Sequence, residues 1–293
     1  MSLKQLVIPV EADGQKLGSF LRRTLPGLPE STLRKVFASR DIRIDGRRVP
    51  ADTVIRTGQQ LKIWLPETTG SVPAPVPLDI VYEDGSVLLI NKRAGISVEK
   101  DARGGITLTD LAVAHARAKE PGAFPPAACH RLDNKTCGLC LFAKTPEALE
   151  ILQDAFRRRS LEKYYVCLVR GIMKPPAAVC HAWLLKDPLR AVVRILDQEV
   201  PGARPVVTGY ETLESGPVSR LRVHLVTGRT HQIRAHLAAL GHPVLGDDLY
   251  GDREFNRREK ARSLKLCAVS LKIDTEGRLP DLDGREFSVS PPF

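Results

Sequence analysis

The run Leu221-Arg222-Val223-His224-Leu225-Val226-Thr227-Gly228-Arg229-Thr230-His231-Gln232-Ile233-Arg234-Ala235-His236-Leu237-Ala238-Ala239-Leu240-Gly241 changes its hydrophobic period partway along. Leu221 to Thr227 reads as a strand, and Gly228 supplies a turn. Ile233, Leu237 and Leu240 then follow helical spacing, so a helix is predicted from Thr230 to Leu240, with Thr230 as its N-cap and Gly241 as its stop. Arg234 falls next to the apolar stripe of that helix. An arginine there either takes a carboxylate partner or snorkels to solvent, and the pattern alone favours neither.

The same alternation of strand and turn extends outward on the N-terminal side. Leu78 to Tyr82 and Val87 to Ile90 read as strands around a turn at Asp84-Gly85. Leu139 to Ala143, Tyr164 to Val169, Cys180 to Leu185 and Val192 to Ile195 read as further strands. Leu108, Leu111, Ala112 and His115 predict a helix. Another begins at Thr145-Pro146, where proline suits the first helical position, and continues through Leu149, Leu152 and Phe156. Many strands with few helices predict an α+β domain over residues 78–293, with a mixed, largely antiparallel central sheet and flanking helices. Residues 66–77 are rich in proline and read as a linker.

Ahead of the linker, residues 1–65 predict a small α/β module. Leu17, Phe20, Leu21 and Leu25 mark one short helix and Leu33, Val36 and Phe37 a second. Ile42 and Ile44 form a strand before the turn Asp45-Gly46, and Leu61, Ile63 and Leu65 form a later one. This module holds 12 basic and 6 acidic side chains, a net +6 (12 − 6) of the chain's +10, leaving +4 for the remaining residues. A polyanion, most often nucleic acid, is the partner such a concentration implies; a solvated, solubilising surface is the alternative.

With 293 residues, 43% hydrophobic and 27% charged, the chain suits one small module and one larger domain. No apolar run approaches the ~18 residues needed to span a bilayer. Met1 to Leu6 lacks a secretory signal's apolar run, so a cytoplasmic, non-membrane protein is expected. Its six cysteines, at 129, 137, 140, 167, 180 and 267, are then expected to be reduced. Cys137-Gly138-Leu139-Cys140 is a single CxxC, without a second pair at zinc-ribbon spacing.

Three elements carry groups able to do chemistry. Asp133 lies in the polar loop His130-Arg131-Leu132-Asp133-Asn134-Lys135-Thr136-Cys137-Gly138. It is either an ordinary turn-capping aspartate or an ionised, positioned carboxylate kept charged by neighbouring cations. On the strand Lys163-Tyr164-Tyr165-Val166-Cys167-Leu168-Val169, alternation puts Tyr165, Cys167 and Val169 on one face, where packing alone would account for the tyrosine. His231 and His236 are five apart and share no helix face, and Asp247-Asp248 reads as an isolated acidic pair. A histidine–aspartate metal hydrolase is therefore not favoured. Gly104-Gly105 lacks the lysine of a phosphate loop, and no metal or cofactor is expected.

Taken together, these segments resemble the RluA-type pseudouridine synthases. The resemblance runs through His130-Arg131-Leu132-Asp133 … Thr136-x-Gly138, Lys163-x-Tyr165-x-x-x-Val169-x-Gly171 and Gly228-Arg229-Thr230-His231-Gln232-Ile233-Arg234-x-His236-Leu237. Gly241-His242-Pro243-Val244-Leu245-Gly246-Asp247 extends it, and it covers about residues 78–273. Residues 14–49 resemble the S-four type RNA-binding domain, with Gly18 where aspartate is common. Arg93 replaces the usual proline after Asn91-Lys92, and Cys137 and Cys267 are further departures. None touches the matched Asp, Tyr or Arg.

The resemblance implies an isomerase that converts uridine to pseudouridine in structured RNA, first of all large-subunit ribosomal RNA, with transfer RNA as the alternative; separately, a monomer is expected. It implies that Asp133 is the nucleophile or proton-abstracting carboxylate, that Arg234 pairs with it, and that Tyr165 contacts the base. Substrate contacts are expected from Arg131, which would help fill the gap left by a flipped uridine, and from His130 and Arg229. In the N-terminal module they are expected from Arg22, Arg23, Arg34, Lys35 and Arg43. A non-catalytic RNA-binding or ribosome-assembly factor retaining the fold is the second reading.

Overall fold

The computed structural model describes residues 2–24, 33, 36–37, 39, 42–65, 77–101, 105–187 and 192–293. The chain divides into two compact units, Met1–Pro77 with Lys100–Gly105, and Leu78–Glu99 with Ile106–Phe293. Eleven residues of the expected linker, 66–76, lie outside the described residues.

In the first unit, β1 (Ser2–Val7), β2 (Ile42–Ile44), β3 (Arg47–Arg48) and β4 (Gln60–Leu65) form an antiparallel sheet in the order β1-β4-β2-β3. The helix α1 (Leu17–Thr24) buries Leu17, Phe20 and Leu21 against Ile42, Ile44, Leu61 and Ile63. The helical positions Leu33 and Val36 join the same core. Asp45 and Gly46 both take positive φ, as the tight hairpin between β2 and β3 requires, and Asp45 Oδ1 accepts the Gln60 N–H at 2.8 Å. Strand β1 was not legible in the sequence. It is an edge strand whose Leu3 and Val7 are exposed, so it carries little inside–outside alternation.

The second unit contains β5 (Ile80–Glu83), β6 (Val87–Lys92), β7 (Ala127–Ala128), β8 (Cys137–Ala143), β9 (Glu162–Arg170), β10 (Ala177–Lys186), β11 (Val193–Leu196), β12 (Arg204–Glu214), β13 (Val218–Leu225), β14 (Leu266–Lys272) and β15 (Glu286–Ser288). Its helices are α2 (Leu108–Lys119), α3 (Pro146–Arg158), α4 (Gln232–Ala239) and α5 (Arg253–Arg258). The strands form one sheet in the order β11-β10-β12-β13-β9-β14-β8-β6-β5, with β15 beside β14 and β7 beside β8. Every pairing between these strands is antiparallel except β14 with β8, so the sheet is mixed and largely antiparallel, as the sequence predicts. The prediction missed β12, because Pro205 and Gly209 interrupt its apolar pattern.

Strand β8 is buried along its whole length. Cys140 and Phe142 face a core shared with Tyr165, Cys167, Val169, Leu221, Val223, Ile233 and Leu237. Leu139 and Leu141 face the opposite layer, where α3 contributes Ala148, Leu152 and Ala155. A strand covered on both faces loses its alternation and reads as a continuous apolar run. Helix α3 starts as its sequence predicts: Thr145 Oγ1 accepts the Ala148 N–H at 3.1 Å and Pro146 takes the first turn.

The parallel β8–β14 contact explains the glycine five residues after Asp133. Gly138 is in register with Ala268 and has φ +106°; a Cβ there would lie 2.1 Å from the Ala268 carbonyl oxygen. Only glycine permits that approach.

Candidate active site

A cavity of about 490 Å³ opens in the second unit where the loop between β7 and β8 meets α4 and β9. Asp133, Tyr165, His130, Arg131, Arg229 and Arg234 all lie on its lining. The six residues that the sequence assigns to this domain's site, from three separate segments, are thus brought together.

Asp133 sits on a loop held from beneath. Lys92, at the end of β6 and almost fully buried, donates through Nζ to the carbonyls of Arg93 (3.1 Å), Ile96 (2.8 Å) and Asn134 (3.1 Å). Burial brings the Lys92 pKa down to about 8, against the opposing pull of Cys140, Cys137 and Asp133. Asn134 closes the clamp, donating to the Gly95 carbonyl at 3.1 Å and to Ser97 Oγ at 2.9 Å. The Thr136 N–H donates to the Asp133 carbonyl at 3.1 Å and completes the turn.

His130 anchors the other end of this loop. Its Nε2 accepts the Leu141 N–H of β8 at 3.1 Å, and its ring packs against Phe156 of α3 with centroids 5.0 Å apart. Burial, reinforced by the neighbouring Lys163 charge, pushes its pKa down to about 3, so the ring is neutral. A ring nitrogen already accepting a backbone N–H is committed to the fold. The structure therefore adds an anchoring function to the substrate contact expected of His130.

Arg234 supplies the charge at the base of the cavity. Its side chain is 5% exposed and forks onto Asp247, with Nε to Oδ2 at 2.7 Å and Nη2 to Oδ1 at 2.8 Å. The remaining Nη1 donates to Asp133 Oδ2 at 3.3 Å. The expected pairing of Arg234 with Asp133 is present but is longer than the fork onto Asp247, and Asp248 Oδ1 stands farther off, 3.9 Å from Nη2. Burial would lower the Arg234 pKa, yet the bonds and charges of Asp247 and Asp133 outweigh it and raise the pKa above its usual value. Asp247, with a side chain 0% exposed, also accepts the Leu249 and Tyr250 N–H groups at 2.8 and 3.1 Å. Burial works to raise its pKa, but Arg234 and these N–H groups hold it below the ordinary carboxylate range. The buried ionic group is thus a fixed support, while Asp133, 23% exposed, presents its carboxyl group to the cavity.

Asp247 corrects the sequence reading that made Asp247-Asp248 an isolated acidic pair. The two side chains part company: Asp247 turns inward, and Asp248 is exposed and pairs with Lys135 at 2.7 Å. The clue available in the sequence was the demand of a half-buried arginine for a carboxylate, without any indication of which one.

A second correction concerns the start of α4. Thr230 is not its N-cap; the helix begins at Gln232, and His231, at φ 55°, is the cap residue without a side-chain cap bond. The Gln232 side chain instead ties the helix start to the preceding turn and to β12, its Oε1 accepting from Thr227 Oγ1 (2.9 Å) and the Arg229 N–H (3.1 Å), while its Nε2 donates to the Val207 carbonyl and Thr208 Oγ1. His231 is set with Nε2 3.9 Å from Asp133 and Nδ1 3.0 Å from the Tyr250 hydroxyl. Burial lowers its pKa. His236 points elsewhere, to Thr208 Oγ1 at 3.0 Å, so the two histidines do not converge.

Tyr165 is buried on β9 with Cys167 and Val169, as alternation predicts, and its hydroxyl has no hydrogen-bond partner among the described residues. Burial and the Asp133 charge raise its pKa, leaving a neutral phenol facing the cavity. Arg131 and Arg229 stand at the exposed rim, and Arg131 reaches Glu99 at 3.5 Å. In the first unit, Arg43 is half-buried and stacks 5.1 Å from the Trp64 ring centroid. The Arg22 and Arg23 side chains, and all of Arg34 and Lys35, lie outside the described residues. Cys137 and Cys140 occupy opposite faces of β8, and among the described residues no cluster of three or more His, Cys, Asp or Glu is placed to hold a metal ion. No helix among them is long and apolar enough to cross a membrane.

Residues 86–239 match the RNA pseudouridylate synthase family. The chain belongs to that family. It is accordingly an isomerase, an RNA pseudouridine synthase. The ribosomal large subunit pseudouridine synthase C of Escherichia coli (strain K12) is 33% identical over 292 residues, covering 94% of this chain and 90% of its own. The protein of the same name from Vibrio vulnificus (strain CMCP6) is 33% identical over 86% of this chain and 82% of its own. Among solved structures, human RNA pseudouridylate synthase domain containing 1 superposes with a TM-score of 0.60 at 27% identity, covering 75% of this chain and 85% of that one.

Proposed function

We propose that this synthase isomerises uridines in ribosomal RNA of the large subunit, with Asp133 as its catalytic group. One observation carries the assignment of Asp133: it is the carboxylate that shares Arg234 with buried Asp247 yet remains open to the cavity. An aspartate so placed is oriented by a fixed guanidinium, as either attack on the nucleoside or proton abstraction requires. In the isomerisation the bond from the sugar to the base nitrogen breaks, the base turns, a bond from the sugar to carbon 5 forms, and the carbon-5 proton leaves while the freed ring nitrogen takes one up from solvent.

A uridine stacked in RNA hides these atoms, so the base is extruded into the cavity, at a cost of a few kcal/mol. Tyr165, a neutral phenol without a partner among the described residues, contacts the extruded base. Arg131 at the rim helps fill the gap in the RNA, and Arg229 engages the backbone. The ribosomal substrate is supported by the names of relatives that align over most of the chain. The basic first unit, residues 1–65, holds RNA through its phosphates, Arg43 among the contacts. Action on ribosomal RNA supports a cytoplasmic location.

Tritium release from large-subunit RNA labelled at uridine carbon 5 tests the assignment. Asp133→Asn is expected to abolish release while RNA affinity stays within about threefold of wild type, because charge is removed but little volume. Residual turnover above about 1% of wild type would take the essential role away from Asp133.

A further inference from the structure

We propose that a second cleft, on the far side of the Arg234–Asp247 pair from Asp133, binds the sugar-phosphate backbone of the RNA strand flanking the target uridine. The proposal rests on the RNA substrate of the isomerase reading and adds a binding surface to it. The cleft has a volume of about 750 Å³ and is lined by Lys135, Asp248, Arg253, Arg257, Arg262 and Ser263, with Asp247 at its inner end.

Its charge balance is one-sided. Asp247 is neutralised by Arg234, and Asp248 by Lys135. Arg253, Arg257 and Arg262 are exposed and have no carboxylate partner among the described residues. Arg253 and Arg257 are one turn apart on α5, so two like charges share a helix face, an arrangement that disfavours the helix unless an anion lies across it. Arg253 and Arg257 lie one turn apart on α5, and Arg262 follows four residues after its end, so the cations come in succession. That spacing suits a linear polyanion, because a single phosphate would need donors gathered around it.

The cleft is also fixed relative to the catalytic centre. Asn256 of α5 accepts the Gly246 N–H at 2.8 Å and donates to the Asp247 carbonyl at 3.0 Å. Phe255 on the same helix is buried. Gly246 approaches so closely that a Cβ would lie 1.9 Å from the Ser263 carbonyl oxygen, and one on Gly251 would lie 2.0 Å from that of Asp247. The arginine-bearing helix is therefore locked to the residue whose carboxylate holds Arg234. Lys135 follows Asp133 by two residues, so a strand leaving the cavity beside Asp133 passes directly onto these cations.

The test uses the full chain carrying Arg253→Ala, Arg257→Ala and Arg262→Ala together, titrated with a fluorescein-labelled, uridine-rich RNA hairpin. If the cleft neutralises three phosphates, the slope of log affinity against log salt becomes shallower by about 2. The Michaelis constant in the tritium-release assay rises in parallel. Replacing the same three residues with lysine restores most of the slope, which separates lost charge from lost folding. An unchanged slope would overturn the proposal. So would an equal change in a control triple that removes the same charge elsewhere (Arg117, Arg157 and Lys174 to alanine), since general surface charge would then suffice. A shallower slope in a protein whose wild type releases no tritium from large-subunit RNA would leave the cleft standing and the proposed ribosomal substrate refuted. Normal turnover with an unchanged slope refutes the cleft alone.

Discussion

Asp247→Asn is the substitution that most directly probes how the site is supported. The change conserves volume, yet an amide nitrogen would face one of the two guanidinium donors, now held at 2.7 and 2.8 Å. Arg234, 5% exposed, would keep Asp133 at 3.3 Å and the exposed Asp248 at 3.9 Å, neither of them a bidentate partner. Breaking a buried pair in this way costs about 3–5 kcal/mol, because one charge is left uncompensated. At about 2–4 °C of melting temperature per kcal/mol for a domain of this size, the midpoint is expected to fall by about 6–20 °C. Arg234 would also be free to move towards Asp133, and a displacement of ~1 Å at the reacting carboxylate is worth about 100-fold in kcat/KM. Thermal melts followed by circular dichroism, and tritium release measured well below the variant's midpoint, read the two effects separately. The wild type should also carry an acid dependence that the variant lacks. Asp247 has a lowered native pKa, so its stabilisation is complete above the unfolded value near 3.8 and is lost as pH falls through the native value. Replacing the pair with Arg234→Met and Asp247→Leu should recover much of the stability but no activity. A melting midpoint for Asp247→Asn within about 2 °C of wild type would refute the view that this pair supports the site.

Two further substitutions examine the loop that carries Asp133. Gly138→Ala places a Cβ 2.1 Å from the Ala268 carbonyl at φ +106°, and urea unfolding should show a loss of at least about 3 kcal/mol; a loss under about 1 kcal/mol would mean that β8 and β14 do not approach as described. His130→Gln should flatten the acid side of the stability profile. His130, at about 3 in the fold against 6.5 unfolded, is neutral when buried, so its contribution is full above about pH 6.5 and is lost as pH falls from there towards 3. Equal wild-type and variant slopes between about pH 7 and 4.5 would show that the ring protonates freely in place.

Much of this protein was legible in its residues because the relevant information is local. Thr145-Pro146 starts α3 through chemistry confined to one helical turn, and Tyr165, Cys167 and Val169 share a face because side chains alternate along a strand. The motifs around Asp133, Tyr165 and Arg234 marked three segments that the structure gathers onto one cavity. Strand β12 escaped because its pairing with β10 and β13 outweighs the local disfavour of Pro205 and Gly209, and tertiary context routinely overrides propensity. The start of α4 escaped because Gln232 bonds to Thr227 and Arg229 in the turn after β13 and to Val207 and Thr208 of β12, which helix periodicity does not reveal.

The sequence alone therefore determined the fold class and the three segments that line the cavity, since periodicity, caps and motif residues are properties of short stretches. Which carboxylate holds Arg234, and which of two adjacent aspartates is buried, was decided only by the tertiary structure. An ion pair is chosen by the desolvation of its members and by the three-dimensional path that brings them within reach, and neither is encoded in their spacing along the chain.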